Sequence, residues 1–201
     1  MNNWFMKRIL DIVGALPGGV LLSPLLAVVW LAVVLESGLP GLFRQRRMGR
    51  GGSEFTLYKF RTMTVQRGTE RGSFDVGSSA RVTRVGKMLR KTKLDELPQL
   101  WNVLVGDMSL VGPRPEVRKW VEAYPEQWTR VLSVRPGITD PASIEFRNEE
   151  ELLAAAPDPE TYYREVILPR KLDLYEEYVE TRSFWGDVGI LLKTVWAVAG
   201  R

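Results

Sequence analysis

The sequence predicts an α+β fold, mostly helical, with a re-entrant N-terminal membrane helix, a small β-hairpin and amphipathic interfacial helices around a carboxylate site. Three observations point there. The 24 residues from Ile12 to Leu35 carry no charge, enough to enter or cross a bilayer core about 30 Å thick. Two short β-type segments flank a glycine-rich turn at residues 49–52. From residue 82 onward, helical patterns alternate with proline-rich turns. The chain thus divides into a membrane helix, residues 1–37, and a domain on its cytoplasmic side, residues 38–201.

The apolar run is interrupted by Pro17, Gly18, Gly19 and the pair Ser23-Pro24. Pro24 removes a backbone donor and clashes with the preceding turn, which predicts a bend near the middle. The Ser23 hydroxyl can serve the carbonyl that the proline leaves free. Lys7 and Arg8 precede the run, and Arg44, Arg46, Arg47 and Arg50 follow it. Positive residues favour the cytoplasmic face, so a helix that enters, bends and returns suits both flanks. A simple spanning helix is the alternative. A cleaved signal peptide fits poorly, because the run is too long and no small-x-small site closes it.

Beyond the run, residues 38–40 break the helix and residues 41–47 form a short strand. Residues 55–63 form a second strand, whose alternation puts Lys59 and Arg61 on one face. Residues 66–80, rich in Gly and Ser, read as a loop. Helical patterns cover 82–91, 95–105, 116–123, 149–156 and 161–181. Between them, Gly112-Pro113-Arg114-Pro115 is a rigid, non-helical connection. The tail, 183–198, carries Trp185, Leu192, Val195 and Trp196 with few charges. It suits the headgroup level of a membrane or packing against protein equally.

A net charge of +4 and a pI near 9.4 favour anionic partners: nucleic acid, an anionic bilayer or phosphorylated substrates. Cysteine and histidine are both absent, which excludes disulfides, thiolate nucleophiles, imidazole bases and the usual zinc sites. Catalysis is left to carboxylates, hydroxyls, lysine, arginine or an oxygen-ligated metal.

The most informative stretch is Leu94-Asp95-Glu96-Leu97-Pro98-Gln99-Leu100. With Asp95 at or near a helix cap, Pro98 falls within the first turn and both carboxylates sit at the positive helix end. A capping box from Thr92 to Asp95 is the competing register. Alone, such a pair is most often a cap. Its company argues for more: Lys87, Arg90, Lys91 and Lys93 precede it, and Arg114 and Arg135 stand in two rigid proline turns. Arginines so placed are suited to gripping phosphate oxygens. Adjacent carboxylates among cations can hold Mg²⁺, and an aspartate nucleophile is reasonable for phosphoryl transfer.

These residues resemble the monotopic bacterial phosphoglycosyl transferases, or bacterial sugar transferases, in their minimal single-domain form. The matching stretches are Lys7 to Asp11, Ser23-Pro24, Tyr58 to Met63, Leu94 to Pro115 (LDELPQLWNVLVGDMSLVGPRP) and Arg135 to Thr139. The resemblance implies a monotopic enzyme on the cytoplasmic face of the bacterial inner membrane, its re-entrant helix broken at Ser23-Pro24. It implies Asp95 as a nucleophile that takes a sugar phosphate from a UDP-sugar and releases UMP. Polyprenol phosphate, such as undecaprenyl phosphate, then accepts the group at the first membrane step of surface glycan synthesis. Glu96 assists, Mg²⁺ is the cofactor with Asp95 as its ligand, and Lys59, Arg90 and Arg114 surround the phosphates, with Arg135 as a further binding candidate. Inner-membrane lipid is a partner, nucleic acid is not, and a homodimer is left open. One departure is Asp140-Pro141-Ala142-Ser143, where many members carry a Gly-Leu-Ala-Gln-like run, so the sugar is not specified. A membrane-bound diphosphate hydrolase and a basic membrane adaptor are the competing functions.

Overall fold

A computed structural model describes residues 3–64 and 81–199; the loop expected at 66–80 lies outside the described residues. The architecture is mostly helical, with two small two-stranded sheets. Helix α1 runs from Asn3 to Ser37 and keeps Pro17 and Pro24 inside it. Helical backbone continues across Ser23-Pro24, so the proline is an internal position rather than a terminus. Pro24 cannot donate to the carbonyl of Val20, four residues back. The Ser23 hydroxyl donates to that oxygen instead, at 2.8 Å.

Both ends of α1 are fastened to the same globular body. Near its start, Lys7 Nζ donates to Asp187 Oδ2 (2.5 Å), the Val111 carbonyl (2.8 Å) and the Tyr178 hydroxyl (3.0 Å). Arg8 donates to the carbonyls of Val103 and Leu104. Asp11 accepts from Ser109 Oγ and the Leu110 amide, each at 2.8 Å. At the other end, Arg61 donates to the Ser37 and Gly38 carbonyls, covering the exposed oxygens of the last turn. Between these anchors Leu16, Val20, Leu21 and Val28 face outward, uncovered by protein.

Strands β1 (Leu42–Met48) and β2 (Glu54–Phe60) form the expected antiparallel hairpin, with Leu42 opposite Phe60 and Met48 opposite Glu54. The second strand is shorter than the sequence suggested. It stops at Phe60, opposite Leu42; the Arg61 amide makes one further bond, to the Gly41 carbonyl (3.0 Å), while its side chain binds the end of α1. Helix α2 (Arg84–Thr92) is capped by Thr83 and by Glu36 of α1, whose carboxylate accepts from the Arg84 and Val85 amides. Helix α3 spans Gln99–Val105.

The two rigid turns meet in a parallel pair absent from the sequence reading, β3 (Ser109–Val111) and β4 (Gly137–Thr139). Helices α4 (Arg118–Ala123) and α5 (Pro125–Val131) lie between those strands in sequence. A Cβ on Gly137 would stand 2.1 Å from the Gly112 amide nitrogen, so only glycine permits this approach. Beyond β4 come α6 (Pro141–Glu145), α7 (Glu149–Ala155) and α8 (Pro159–Tyr162), then a π-turn into α9 (Leu168–Thr181). Trp120, Trp128, Leu153, Ile167, Leu172 and Tyr175 fill the core of this half. The last helix, α10 (Phe184–Ala199), turns Asp187 inward to Lys7 and leaves Trp185, Leu192 and Trp196 exposed on its outer face.

Candidate active site

The Asp95-Glu96 pair occupies neither register expected for it. Thr92 is the last residue of α2, where its hydroxyl donates back to the Met88 and Leu89 carbonyls instead of opening a capping box. Lys93 takes a left-handed conformation (φ 58°) and closes α2. A 3-10 turn, Leu94–Glu96, then presents the carboxylates. Pro98 stands immediately before α3 and makes no side-chain cap. The physical reason is the missing proline N–H: a turn bond to the Asp95 carbonyl cannot form, so the tight turn ends there. Leu94 fixes the turn by packing against Val29, Val33, Phe60 and Leu89.

Asp95 and Glu96 are both buried, but their surroundings differ. Glu96 Oε1 accepts from Lys59 Nζ (2.9 Å) and Arg114 Nη2 (2.6 Å), while Oε2 accepts from Arg114 Nη1 (3.3 Å). This is a bidentate arginine fork with a lysine added. Burial alone would raise the Glu96 pKa, yet the charges of Arg114 and Lys59 outweigh it and hold the group well below the usual carboxylate range. Asp95 is shifted the other way. Burial and the neighbouring Glu96 charge push its pKa up, against Lys59, Lys93 and Arg114. Asp95 Oδ1 is buried and has no hydrogen-bond partner.

Two structural devices bring the cations here. Asn102, fully buried in α3, clasps β2: its Nδ2 donates to the Thr56 carbonyl (2.8 Å) and its Oδ1 accepts from the Tyr58 amide (3.2 Å). That clasp fixes Lys59, the next residue on the strand, relative to Glu96. The turn carrying Arg114 is held from both sides. On one side, the Met48 amide and Arg47 bind Glu116; on the other, the Gly137 amide binds the Pro113 carbonyl. The sequence reading missed Asn102, although a polar residue in the middle of a helix that is apolar after Gln99 was a visible signal.

The remaining expected cations lie elsewhere. Arg90 donates to Thr62 Oγ1 (3.0 Å) and pairs with Glu150 at 3.5 Å, touching neither carboxylate. Arg135 donates to the Gly106 carbonyl (2.7 Å), near Arg8 and Arg50. Arg61, expected on the same face as Lys59, serves α1. Among the described residues there is no cluster of three acidic groups to encage a metal. An apolar groove of about 440 Å³ is lined by Gly19, Leu26, Leu42, Tyr58, Pro98 and Trp101, among others; Leu97 and Pro98, next after Glu96 in sequence, are in its wall, and the carboxylates are not.

The family model for bacterial sugar transferases matches residues 2–201. The chain is 40% identical, over 195 residues, to a UDP-glucose:undecaprenyl-phosphate glucose-1-phosphate transferase of Caulobacter vibrioides, covering 94% of this chain and 68% of that one. It is 38% identical over 194 residues to a UDP-N-acetylgalactosamine-undecaprenyl-phosphate N-acetylgalactosaminephosphotransferase of Aeromonas hydrophila, covering 95% of this chain. It is 35% identical over 212 residues to an undecaprenyl-phosphate galactose phosphotransferase of Salmonella typhimurium, covering 98% of this chain. The chain spans only 43% and 41% of the length of those last two relatives. With a match from its second residue to its last, the chain belongs to the bacterial sugar transferase family.

Proposed function

We propose that this chain transfers a sugar 1-phosphate from a UDP-sugar to polyprenol phosphate by way of a phosphosugar carried on Asp95. One observation carries the mechanism: of two adjacent buried carboxylates, Glu96 is fully committed to Lys59 and Arg114, whereas Asp95 keeps an oxygen that no protein group engages. An Asp95 oxygen attacks the β-phosphorus, and the new O–P bond forms as the bond to the bridging oxygen breaks. UMP leaves with that oxygen and its electron pair. An oxygen of polyprenol phosphate then attacks the same phosphorus, which frees Asp95 and yields a lipid diphosphate sugar.

Burial and the Glu96 charge make Asp95 more basic than a free aspartate, and so a better nucleophile once ionised. Glu96 anchors Lys59 and Arg114 as a pair of fixed positive charges beside the reacting phosphoryl group. The donor set fits Mg²⁺, which binds through one or two carboxylates and fills its remaining positions with phosphate and water oxygens. Asp95, with its unpartnered buried oxygen, is the residue to hold it, and the bound ion would neutralise diphosphate charge. The apolar groove whose wall includes Leu97 and Pro98 suits a lipid acceptor.

The same reading places the protein on the cytoplasmic face of the membrane, with α1 entering and returning. What supports it is the pair of anchored ends on one body around an exposed apolar middle. A helix crossing the bilayer would put those ends on opposite sides of about 30 Å of hydrocarbon.

The test is UMP release from a panel of UDP-sugars by the chain in lipid with Mg²⁺. Without polyprenol phosphate, one UMP per enzyme is expected; with it, turnover. Turnover retained by Asp95→Asn overturns the covalent step, and free sugar phosphate as product points to hydrolysis. For topology, single cysteines before Lys7 and after Arg50 should be labelled from the same side of sealed vesicles. Labelling from opposite sides establishes a spanning helix.

A further inference from the structure

Asp95 stands in the 3-10 turn, Gln99 is the first residue of α3, and Asn102 follows within that helix. All three are buried, at 8%, 2% and 0% exposure. Asn102 is satisfied by protein, through β2 and Asp107. Asp95 and Gln99 are not: Asp95 Oδ1 and Gln99 Nε2 are both buried without a hydrogen-bond partner. Buried polar atoms nearly always find partners. Here an acceptor and a donor, one turn apart, are both left over.

We propose that Gln99 is a substrate-binding residue whose carboxamide N–H donates to a non-bridging oxygen of the phosphoryl group that Asp95 attacks. The inference rests on the proposed transfer. Leu97 and Pro98, which lie between Asp95 and Gln99, keep right-handed helical backbone, so Gln99 follows Asp95 by about one turn and the group that both reach is the one at the nucleophile. Phosphoryl oxygens are acceptors only, and the leftover atom of Gln99 is a donor. A neutral amide also adds no cation that would pair with Asp95 and hold it back. The Lys59–Glu96–Arg114 cluster is already internally paired, so Gln99 supplies a donor that is not shared with a carboxylate.

The experiment measures single-turnover UMP release by the full chain in lipid nanodiscs with Mg²⁺, over several UDP-sugars, alongside thermal unfolding. Gln99→Met keeps length and removes the donor; Gln99→Glu keeps shape and, when ionised, only accepts. For Gln99→Met the burst rate should fall about 10- to 100-fold, equally for each UDP-sugar that the unaltered chain uses, with Tm unchanged or higher. For Gln99→Glu it should fall at least as far. A scaffold residue would behave oppositely, with Tm falling in step with activity, and that result overturns the inference. So does a loss confined to particular sugars, which would assign Gln99 to a sugar hydroxyl, or a burst at the unaltered rate in either folded variant. If the unaltered chain releases no UMP from any UDP-sugar, the transferase reading itself fails, and this inference with it.

Discussion

Two clusters of buried charge lie on the body of this protein, built from the same residue types and finished differently. At the foot of α1, Lys7 reaches three acceptors, Arg8 two carbonyls, and Asp11 two donors. None of these residues, nor Asp187, keeps a buried polar atom without a partner. At the site, Glu96 is equally well held, yet Asp95 beside it and Gln99 one turn on each retain one. Arg61 at the far end of α1 also keeps unpartnered buried nitrogens, so what sets the site apart is an acceptor and a donor left over one turn apart beside Lys59, Glu96 and Arg114.

The sharpest way to break that contrast is to open the scaffold cluster. Lys7→Met strands Asp187, whose side chain is only 3% exposed. Removing one partner of a buried pair costs about 3–5 kcal/mol, and denaturant unfolding in detergent should show a loss of that size. Lys7→Met combined with Asp187→Leu should recover much of it, since no charge is then left unpaired. A single variant within about 1 kcal/mol of the unaltered chain would mean that the cluster is ornamental.

Next in size is Glu96→Gln. It leaves Lys59 and Arg114 facing one another with a neutral amide between them. Their side chains are 18% and 29% exposed, so solvent softens the penalty. A loss of about 2 kcal/mol is expected, measured in the same way, together with a fall in UMP release as the cation pair loses its anchor. Unchanged stability would show that the fork does not organise the site.

Much of this arrangement was legible in the sequence, and the misses share a cause. Alternation and glycine placed the hairpin, and proline marked the two rigid turns; inside α1, where a bend was expected, helical backbone runs through Pro24. Lys59 and Arg114 were expected around phosphates; that both instead pair with Glu96 was not read from the sequence. Residues 109–111 and 137–139 went unread as strands because three residues are too few to show alternation, and their pairing is set by partners far along the chain. Lys7 and Arg8 were read as charges flanking a membrane segment, but their partners are a carboxylate and carbonyls about 100 or more residues away. Local sequence gives a cation's sign, not its destination. Arg135 shows the same limit: it shares a proline turn with the pattern of Arg114, yet it points to the Gly106 carbonyl.

The smallest effect tests Asp95 itself, through pH. Its pKa is raised above the ordinary 3.8, so the folded chain favours its protonated form. That contribution to stability is present below 3.8 and is lost as pH rises through the raised value. Glu96 runs oppositely: its pKa lies well below the ordinary 4.5, so its contribution is present above 4.5 and is lost only as pH falls through the depressed value. Asp95→Asn removes the first of these and leaves the second. In chelator, so that no cation shifts the titration, the variant should match the unaltered chain at low pH. It should gain on that chain as pH climbs through the raised value, by about 1 kcal/mol, or about 2–4 °C in Tm for a chain of this size. The UMP burst of the unaltered chain, measured with Mg²⁺, should also rise with pH, because only the ionised carboxylate attacks. A stability gap that ignores pH would mean that Asp95 does not feel its burial. Asp11, though fully partnered, is raised by burial too, so the titration tests the burial of Asp95 and the unpartnered oxygen remains what separates the two clusters.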